Sequence, residues 1–398
     1  MGKSVDITVI GGGIQGASVA EAAAADGYRV LLLERRHPAY GTSSRSSKLI
    51  HGGLRYLETG QLRLVRECLH ERTILLRRAP RLVHLQDFLI PVFRRTRRRP
   101  WQIGSGLSLY ALLAAFGPGS GFSTLPQRRW QELDGLDTQQ LQCVFRYHDG
   151  QTDDAALTRA VLGSARRLGA NIRYPAEFEG ATRTDDGWQL SFVADGQRQT
   201  LASRTLVNAG GPWVNRIVER IDRSHPPMAI ELIQGTHVVV EGSPRTAFYT
   251  EADDGRAVFV LPWQGNTLIG TTETAFDGEP DRVAPQDAEI DYLLRTFHSY
   301  FPGRRQDRLL EAFAGLRVLP QASERPFARP RETLLAVDNR HHPSLVSIYG
   351  GKLTAARATA MRVLQQLRAA LPNSITVADT RELSLSPVKP DDPVAKPL

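Results

Sequence analysis

The stretch DITVIGGGIQGASVAEAAAADGYRVLLLE, residues 6–34, decides how this chain is read. Asp6 to Ile10 is a short apolar strand, Ile14 to Ala25 an Ala-rich helix stopped by Gly27, and Tyr28 to Leu33 a second strand. Between the first strand and the helix, Gly11, Gly13 and Gly16 form GxGxxG. Gly11 permits the tight turn, Gly13 lets a pyrophosphate approach the backbone, and Gly16 lets helix and strand pack closely. The helix N-terminus at Ile14 and Gln15 adds partial positive charge. Glu34 closes the second strand, placed to accept from a ribose 2′-OH, and Arg35 follows it. A strand, glycine turn, helix, strand and acid in this order point to a bound dinucleotide. The acid disfavours a 2′-phosphate, so FAD and NAD both remain open at this point.

Around this unit, the 398 residues predict two to three domains, and 41% hydrophobic with 23% charged residues exclude a disordered or fibrous chain. The net charge of +8 points to an anionic partner, whether nucleic acid, membrane or a phosphorylated substrate; because nearly all of the positive charge is Arg, genomic base composition is the alternative reading. Cys68 and Cys143 are too few for a disulfide framework or a zinc cluster, so we expect no metal site and a reducing, cytoplasmic location. The N-terminus enters a strand without the apolar region of a signal peptide, and Asp6 breaks the myristoylation pattern. The apolar run Leu107 to Phe116 is too short to span a bilayer.

Arg63 to Ala79, ended by Pro80, and Asp154 to Leu168, stopped by Gly169, read as helices. Asn171 to Asn208 alternates around Asp185-Asp186-Gly187 and Asp195-Gly196 as a β-meander. Ile230 to Thr272 reads as antiparallel hairpins turning at Asp253-Asp254-Gly255 and Gln264-Gly265-Asn266. Leu345 to Tyr349 is a last strand and Thr354 to Leu371 a last helix. The Pro-rich tail after Pro372 is expected to be mobile.

Residues 41–58, GTSSRSSKLIHGGLRYLE, choose between the cofactors. The small hydroxyls at Thr42, Ser43 and Ser44 and the paired Gly52 and Gly53 let the backbone pass close to an extended ligand. His51, Arg55 and Tyr56 stand at its reactive end, which an NAD enzyme does not need. The segment resembles the FAD-dependent glycerol-3-phosphate dehydrogenases of the D-amino-acid-oxidase-like flavoproteins. Further islands match in the family's order: LVNAGGPW (206–213), QGTHVVV (234–240), GTT (270–272), GLR (315–317) and YGGKLT (349–354).

The resemblance implies an α/β fold: a Rossmann-like FAD-binding domain from residues 1–72, 148–211 and 331–372, and a discontinuous antiparallel-sheet (α+β) substrate domain from 73–147 and 212–330. Residues 373–398 form the flexible tail. It implies FAD held by the glycine turn, by Glu34, Arg35, Thr42, Ser43, Ser44, Lys48, Leu49, His51, Gly52 and Gly53, and by Ala209, Gly210, Trp213, Gly315, Arg317, Gly351, Lys352, Leu353 and Thr354; His51 and the two cysteines carry no attachment signature, so the FAD is expected to be noncovalent.

Oxidising a secondary alcohol needs a proton acceptor, a hydride acceptor and a grip on the substrate. Arg55 and Arg317 stand where the family's phosphate-binding arginines stand. His51 and His237 are both candidate bases, Lys352 a stabiliser of charge on the reduced cofactor, and Tyr56 a pocket wall. The implied reaction oxidises sn-glycerol 3-phosphate to dihydroxyacetone phosphate, with quinone as acceptor. Another small phosphorylated or phosphonate alcohol or an amine is the alternative substrate, and a non-catalytic flavin-binding sensor or partner subunit is the alternative of a different class. Gly210 departs from the family's usual Thr or Ala, Ala355 and Ala356 from its Thr and Tyr, and the long members' C-terminal helical domain is not reached. Arg94, Arg95, Arg97, Arg98 and Arg99 run into Trp101 and the apolar run, which suggests peripheral contact with anionic membrane. With no recognition motif, nucleic acid is not expected.

Overall fold

The computed structural model describes residues 4–58, 60–115, 117–222, 225–321 and 333–389, with 392 and 394. Phe116, the end of the apolar run, and residues 390–391, 393 and 395–398 of the tail lie outside the described residues. Two sheets organise the chain, one of eight strands and one of ten.

The first sheet runs in the order Leu334–Val337, Leu345–Tyr349, Gln197–Asn208, Ser4–Ile10, Val30–Leu33, Asn171–Arg173, and from Leu345–Tyr349 onward the neighbours are parallel. Both faces are covered, so its strands are near-continuous apolar runs. Alternation still sorts the side chains: Val30 and Leu32 face the cluster shared with the helices Ile14–Ala25, Asp154–Arg167 and Ala356–Leu367, while Leu31 and Leu33 face Phe178, Trp188 and Phe192 of the meander. Strand Gln197–Asn208 joins the layers. Its first half pairs antiparallel with Gly187–Ala194 and its second half parallel with Ser4–Ile10. The alanines of the first helix let its backbone lie close to the sheet, with Ala17, Ala20 and Ala23 fully buried.

The second sheet is mostly antiparallel, with Ile230–Val240 pairing Leu309–Pro320 on one side and Asn266–Gly270 and Thr274–Phe276 on the other. Helix Asp287–Tyr300 covers one face through Leu293 and Phe297; helices Leu62–Arg78 and Pro100–Leu113 cover the other through Leu69, Leu107 and Tyr110. Strand Leu141–Thr152 belongs to this sheet, which therefore extends past the expected boundary at 148.

The tail is a correction. Residues 373–389 are not a free segment: Val377 N donates to Ala25 O at 2.8 Å, Leu385 N to Arg78 O at 2.7 Å, and Arg78 Nε to Leu383 O at 2.8 Å. Leu385 is buried in the helical core. A Pro-rich composition hid this, because the anchors are single apolar residues and backbone hydrogen bonds. Gly27, in the left-handed region at φ +84°, is where the tail crosses: a Cβ there would strike Ile375 O.

Candidate active site

The glycine turn lies at the C-terminal ends of the parallel strands. Gly11 sits at φ +111°, and a Cβ on it would stand 2.5 Å from Ala209 O; one on Gly16 would strike Gly11 O. The first helix begins at Ile14 with Gly13 as N-cap and carries no side-chain cap and no acidic residue in its first turn. Its Ile14 N–H donates to Ser43 Oγ at 2.9 Å. Glu34 is held at both oxygens, by Gly12 N at 2.7 Å and Arg36 N at 2.8 Å. Burial pushes its carboxyl above the usual range, against the pull of these backbone donors.

From this turn a cavity of about 440 Å³ runs to the second sheet. It is lined at one end by Gly11, Gly13, Ile14, Gln15, Glu34, Arg35, Ala209, Gly210 and Trp213. Along it lie Thr42, Ser43, Leu49, Gly315, Gly351, Leu353 and Thr354, and at the other end His51, Gly53, Arg55, Tyr56, His237, Arg317 and Lys352. Segment 42–46 is stitched to strand Leu309–Pro320, with Thr42 Oγ1 on Leu316 O at 2.6 Å and Arg45 on Ala314 O at 3.3 Å. A Cβ on Gly315 would stand 2.7 Å from Arg45 O. At the turn end, Arg35 pairs with Asp281 at 2.8 Å and lies over the Trp213 ring, and Trp213 Nε1 also donates to Asp281.

At the far end the charges converge. Arg317 Nη1 donates to Glu273 Oε1 at 2.7 Å, and Arg55 Nη2 lies 3.5 Å from the same oxygen. The Glu273 side chain is 5% exposed, against 19% for Arg55 and 26% for Arg317, so the carboxylate sits beneath two guanidinium groups that reach the cavity. Gly235 makes room: a Cβ there would lie 2.7 Å from Arg317 Nη2. His237 is buried, stacked on Phe313 with ring centroids 5.1 Å apart, and its Nε2 meets Ser47 Oγ at 2.9 Å. Burial, then the charges of Arg317 and Lys48, hold its pKa down to about 3, so it is neutral at physiological pH. His51 stands 6.3 Å from Tyr56 between ring centroids and its backbone N–H donates to Thr354 Oγ1. Lys352 Nζ sits 3.9 Å over the Tyr56 ring.

Four expected cofactor residues do not line this cavity. Gly16 packs helix on turn, as its spacing implied. The Lys48 ammonium is turned inward, bonded to Asp154 Oδ1 at 2.7 Å and Ser44 O at 2.6 Å, with both charged side chains buried. Ser44 offers that carbonyl and turns its hydroxyl back on Gly41 O. Gly52 is a packing glycine: a Cβ would lie 2.5 Å from Tyr110 Oη and 2.6 Å from Leu69, and its N–H donates to that hydroxyl. Gly210, the departure from the family's usual residue, is matched by Ile217, whose Cδ1 fills the space a Cβ would take. Sequence reading missed Glu273, Ser47 and Thr271. Glu273 directly follows the quoted Gly270-Thr271-Thr272 and is an acid beside two arginines only in three dimensions.

The DAO family model, FAD-dependent oxidoreductase, matches residues 6–357. The chain belongs to this family. It is 38% identical over 375 residues to a glycerol-3-phosphate dehydrogenase of Pseudomonas aeruginosa, covering 91% of this chain and 71% of that protein. It is 35% identical over 378 residues to a D-erythritol 1-phosphate dehydrogenase of Brucella abortus, covering 93% and 75%. The fold is similar to that of the glycerol-3-phosphate dehydrogenase from Bacillus halodurans complexed with FAD, with a TM-score of 0.74, 30% identity, and 96% of this chain and 68% of that chain covered.

The protein is thus an FAD-dependent oxidoreductase related to glycerol-3-phosphate dehydrogenases. The alternative of a non-catalytic subunit falls away. The residues fit the cofactor: a helix N-terminus with no acidic residue in its first turn, a turn in which Gly11 and Gly16 have no room for a Cβ, and a cavity continuous from there to a charged end.

Proposed function

We propose that the protein oxidises sn-glycerol 3-phosphate to dihydroxyacetone phosphate and passes the electrons to a quinone. The observation that carries this is the convergence of Arg55 and Arg317 on one buried carboxylate oxygen at the cavity's end. Guanidinium forks are the side chains best suited to a phosphate dianion, and Glu273 holds the two close together despite their like charge. The relatives named for phosphorylated polyols support the same class.

Bound in the cavity, FAD supplies the two-electron acceptor. The glycine turn, Glu34, Ser43 and the 349–354 loop would hold it. Arg55 and Arg317 bind the phosphate and so fix the carbinol carbon. Tyr56, buried under Lys352, walls the pocket and helps exclude water. A base with a pKa near 3 accepts a hydroxyl proton poorly, so we assign His237 to orienting the hydroxyl while neutral, and the proton to His51. Lys352 places its positive charge at this end of the cavity.

The Brucella relative favours one second reading, a four-carbon polyol phosphate. Comparing kcat/KM for sn-glycerol 3-phosphate, D-erythritol 1-phosphate and free glycerol decides. The three-carbon phosphate should lead and free glycerol should trail by orders of magnitude; equal rates with free glycerol would contradict the phosphate grip, and a lead for erythritol 1-phosphate would reassign the substrate.

The acceptor reading rests on the surface of helix Pro100–Leu113, where Trp101 is 71% and Leu112 59% exposed. No helix among the described residues is long and apolar enough to cross a membrane, so contact there would be peripheral. Of the neighbouring arginines, Arg98 is spent on Glu58 and Glu251, and Arg95 lies over Tyr300 and Phe93. Arg94, Arg97 and Arg99 form no ion pair among the described residues. Changing these three to Gln is expected to weaken binding to anionic vesicles by roughly 1 kcal/mol per residue at low salt. Binding should also fall with added salt, and a short-chain quinone should reoxidise the enzyme faster than dioxygen. Indifference to vesicles together with equal rates would remove the membrane and quinone parts of this reading.

A further inference from the structure

A buried carboxylate outside the cavity ties the two halves of the charged end together. Glu289 lies in the first turn of helix Asp287–Tyr300, is 5% exposed, and is absent from the cavity lining. Four side chains donate to it. Gln234 Nε2 and Thr236 Oγ1 reach Oε2 at 2.5 and 2.6 Å, and Thr272 Oγ1 and Thr274 Oγ1 reach Oε1 at 2.7 and 2.8 Å. Burial alone would push this carboxyl up; the hydrogen bonds from Thr236, Thr272, Thr274 and Gln234 more than offset it and keep it below the usual range.

The four donors come from two segments. Gln234 and Thr236 lie on the strand that carries His237, and Thr272 and Thr274 flank Glu273. The same segments are joined directly by Thr236 N donating to Thr272 Oγ1 at 2.8 Å. Arg317 leans on the second of them, its Nη2 donating to Thr271 Oγ1 at 3.3 Å and to Thr272 O at 3.4 Å. A helix N-terminal acid ordinarily needs only its own backbone partners, and Glu289 has one in Gln286 N at 3.3 Å. Four further side-chain donors, all from site-bearing segments, exceed what helix capping requires.

We propose that Glu289 is a positioning residue of the site: by holding Thr272 and Thr274 against Gln234 and Thr236, it sets Glu273 under Arg55 and Arg317 and registers that arginine pair to His237. This deepens the reading of Arg55 and Arg317 as the phosphate grip and rests on it.

The test uses the FAD-loaded enzyme. Glu289→Gln keeps the size and the N-terminal capping ability but removes the charge and puts an NH₂ where one oxygen accepted, so on that side the bonds survive only where a threonine hydroxyl turns round to accept, and the charge-assisted strength of all four is lost. The expected result is a KM for sn-glycerol 3-phosphate raised about 10-fold or more with a smaller change in kcat, at unchanged flavin content. Substrate affinity measured by anaerobic titration should fall in parallel. A double-mutant cycle with Glu273→Gln separates positioning from a structural role: acting through Glu273 predicts that the double variant is little worse than Glu273→Gln alone, whereas independent effects would multiply.

Thr274→Val, which removes one donor and is milder for folding, should shift KM in the same direction by about 2- to 5-fold. An unchanged KM in both variants, or strictly multiplicative effects in the cycle, would overturn the proposal. Failure of the parent reading looks different, since Arg317→Ala would then leave KM unchanged in the wild-type background.

Discussion

Arg317→Ala is expected to lower kcat/KM for sn-glycerol 3-phosphate by on the order of 100-fold or more, about 3 kcal/mol, while FAD remains bound. Two losses add. The phosphate loses a charge-assisted fork, and Glu273, 5% exposed, loses the partner that sits 2.7 Å from its Oε1, with Arg55 farther off at 3.5 Å. Arg317→Lys should recover little, because an ammonium cannot serve Glu273, Thr271 and a phosphate in one plane. Steady-state kinetics with flavin content determined on the same sample check this. An unchanged KM would return Arg317 to an ordinary ion pair.

Lys48→Met carries the largest expected effect on stability, about 3–5 kcal/mol, because it leaves Asp154 charged and wholly buried without its cation. Asp154 is also tied to Ser46 N at 2.9 Å, so the loop 44–48 along the cavity should loosen as the pair is broken. Burial raises the Asp154 carboxyl and Lys48 draws it back, so removing Lys48 favours the protonated acid. The denaturation midpoint should therefore fall less at acid pH than at neutral pH. Adding Asp154→Asn should recover part of the loss, since the two sites are in contact. Variants with an unchanged midpoint but lost flavin would show that Lys48 contacts the cofactor after all.

The sequence was most informative where function constrains the backbone. Gly11 and Gly16 were legible because a Cβ at either has no space, and their spacing alone announces it. The hairpins around Asp253 to Gly255 and Gln264 to Gly265 were legible for the same kind of reason, since Gly255 and Gly265 both adopt left-handed backbone. Side-chain partnerships were harder. Lys48 sits in a segment that runs along the cavity, yet its long side chain reaches inward to Asp154, more than a hundred residues on in sequence. Gly52 and Gly53 look equivalent in the chain, but only Gly53 faces the cavity while Gly52 makes way for Tyr110 and Leu69. Glu273 and Glu289 were invisible for a related reason: an acid just before a strand or in a helix first turn is ordinary until the fold supplies its partners. The tail was misread because composition reports how little a segment can bury, not whether an existing groove already has room for Leu385.

In the proposed reaction, FAD held in this cavity oxidises a phosphorylated secondary alcohol gripped by Arg55 and Arg317. Its most direct measurement is the visible absorbance of the purified yellow protein, mixed anaerobically with sn-glycerol 3-phosphate and, separately, with glycerol plus inorganic phosphate. The oxidised-flavin band should disappear rapidly with the phosphate ester, with one dihydroxyacetone phosphate formed per flavin, and bleach little with the separated pieces. Flavin that stays oxidised with every phosphorylated polyol, or that bleaches as fast with glycerol alone, would contradict the proposed reaction.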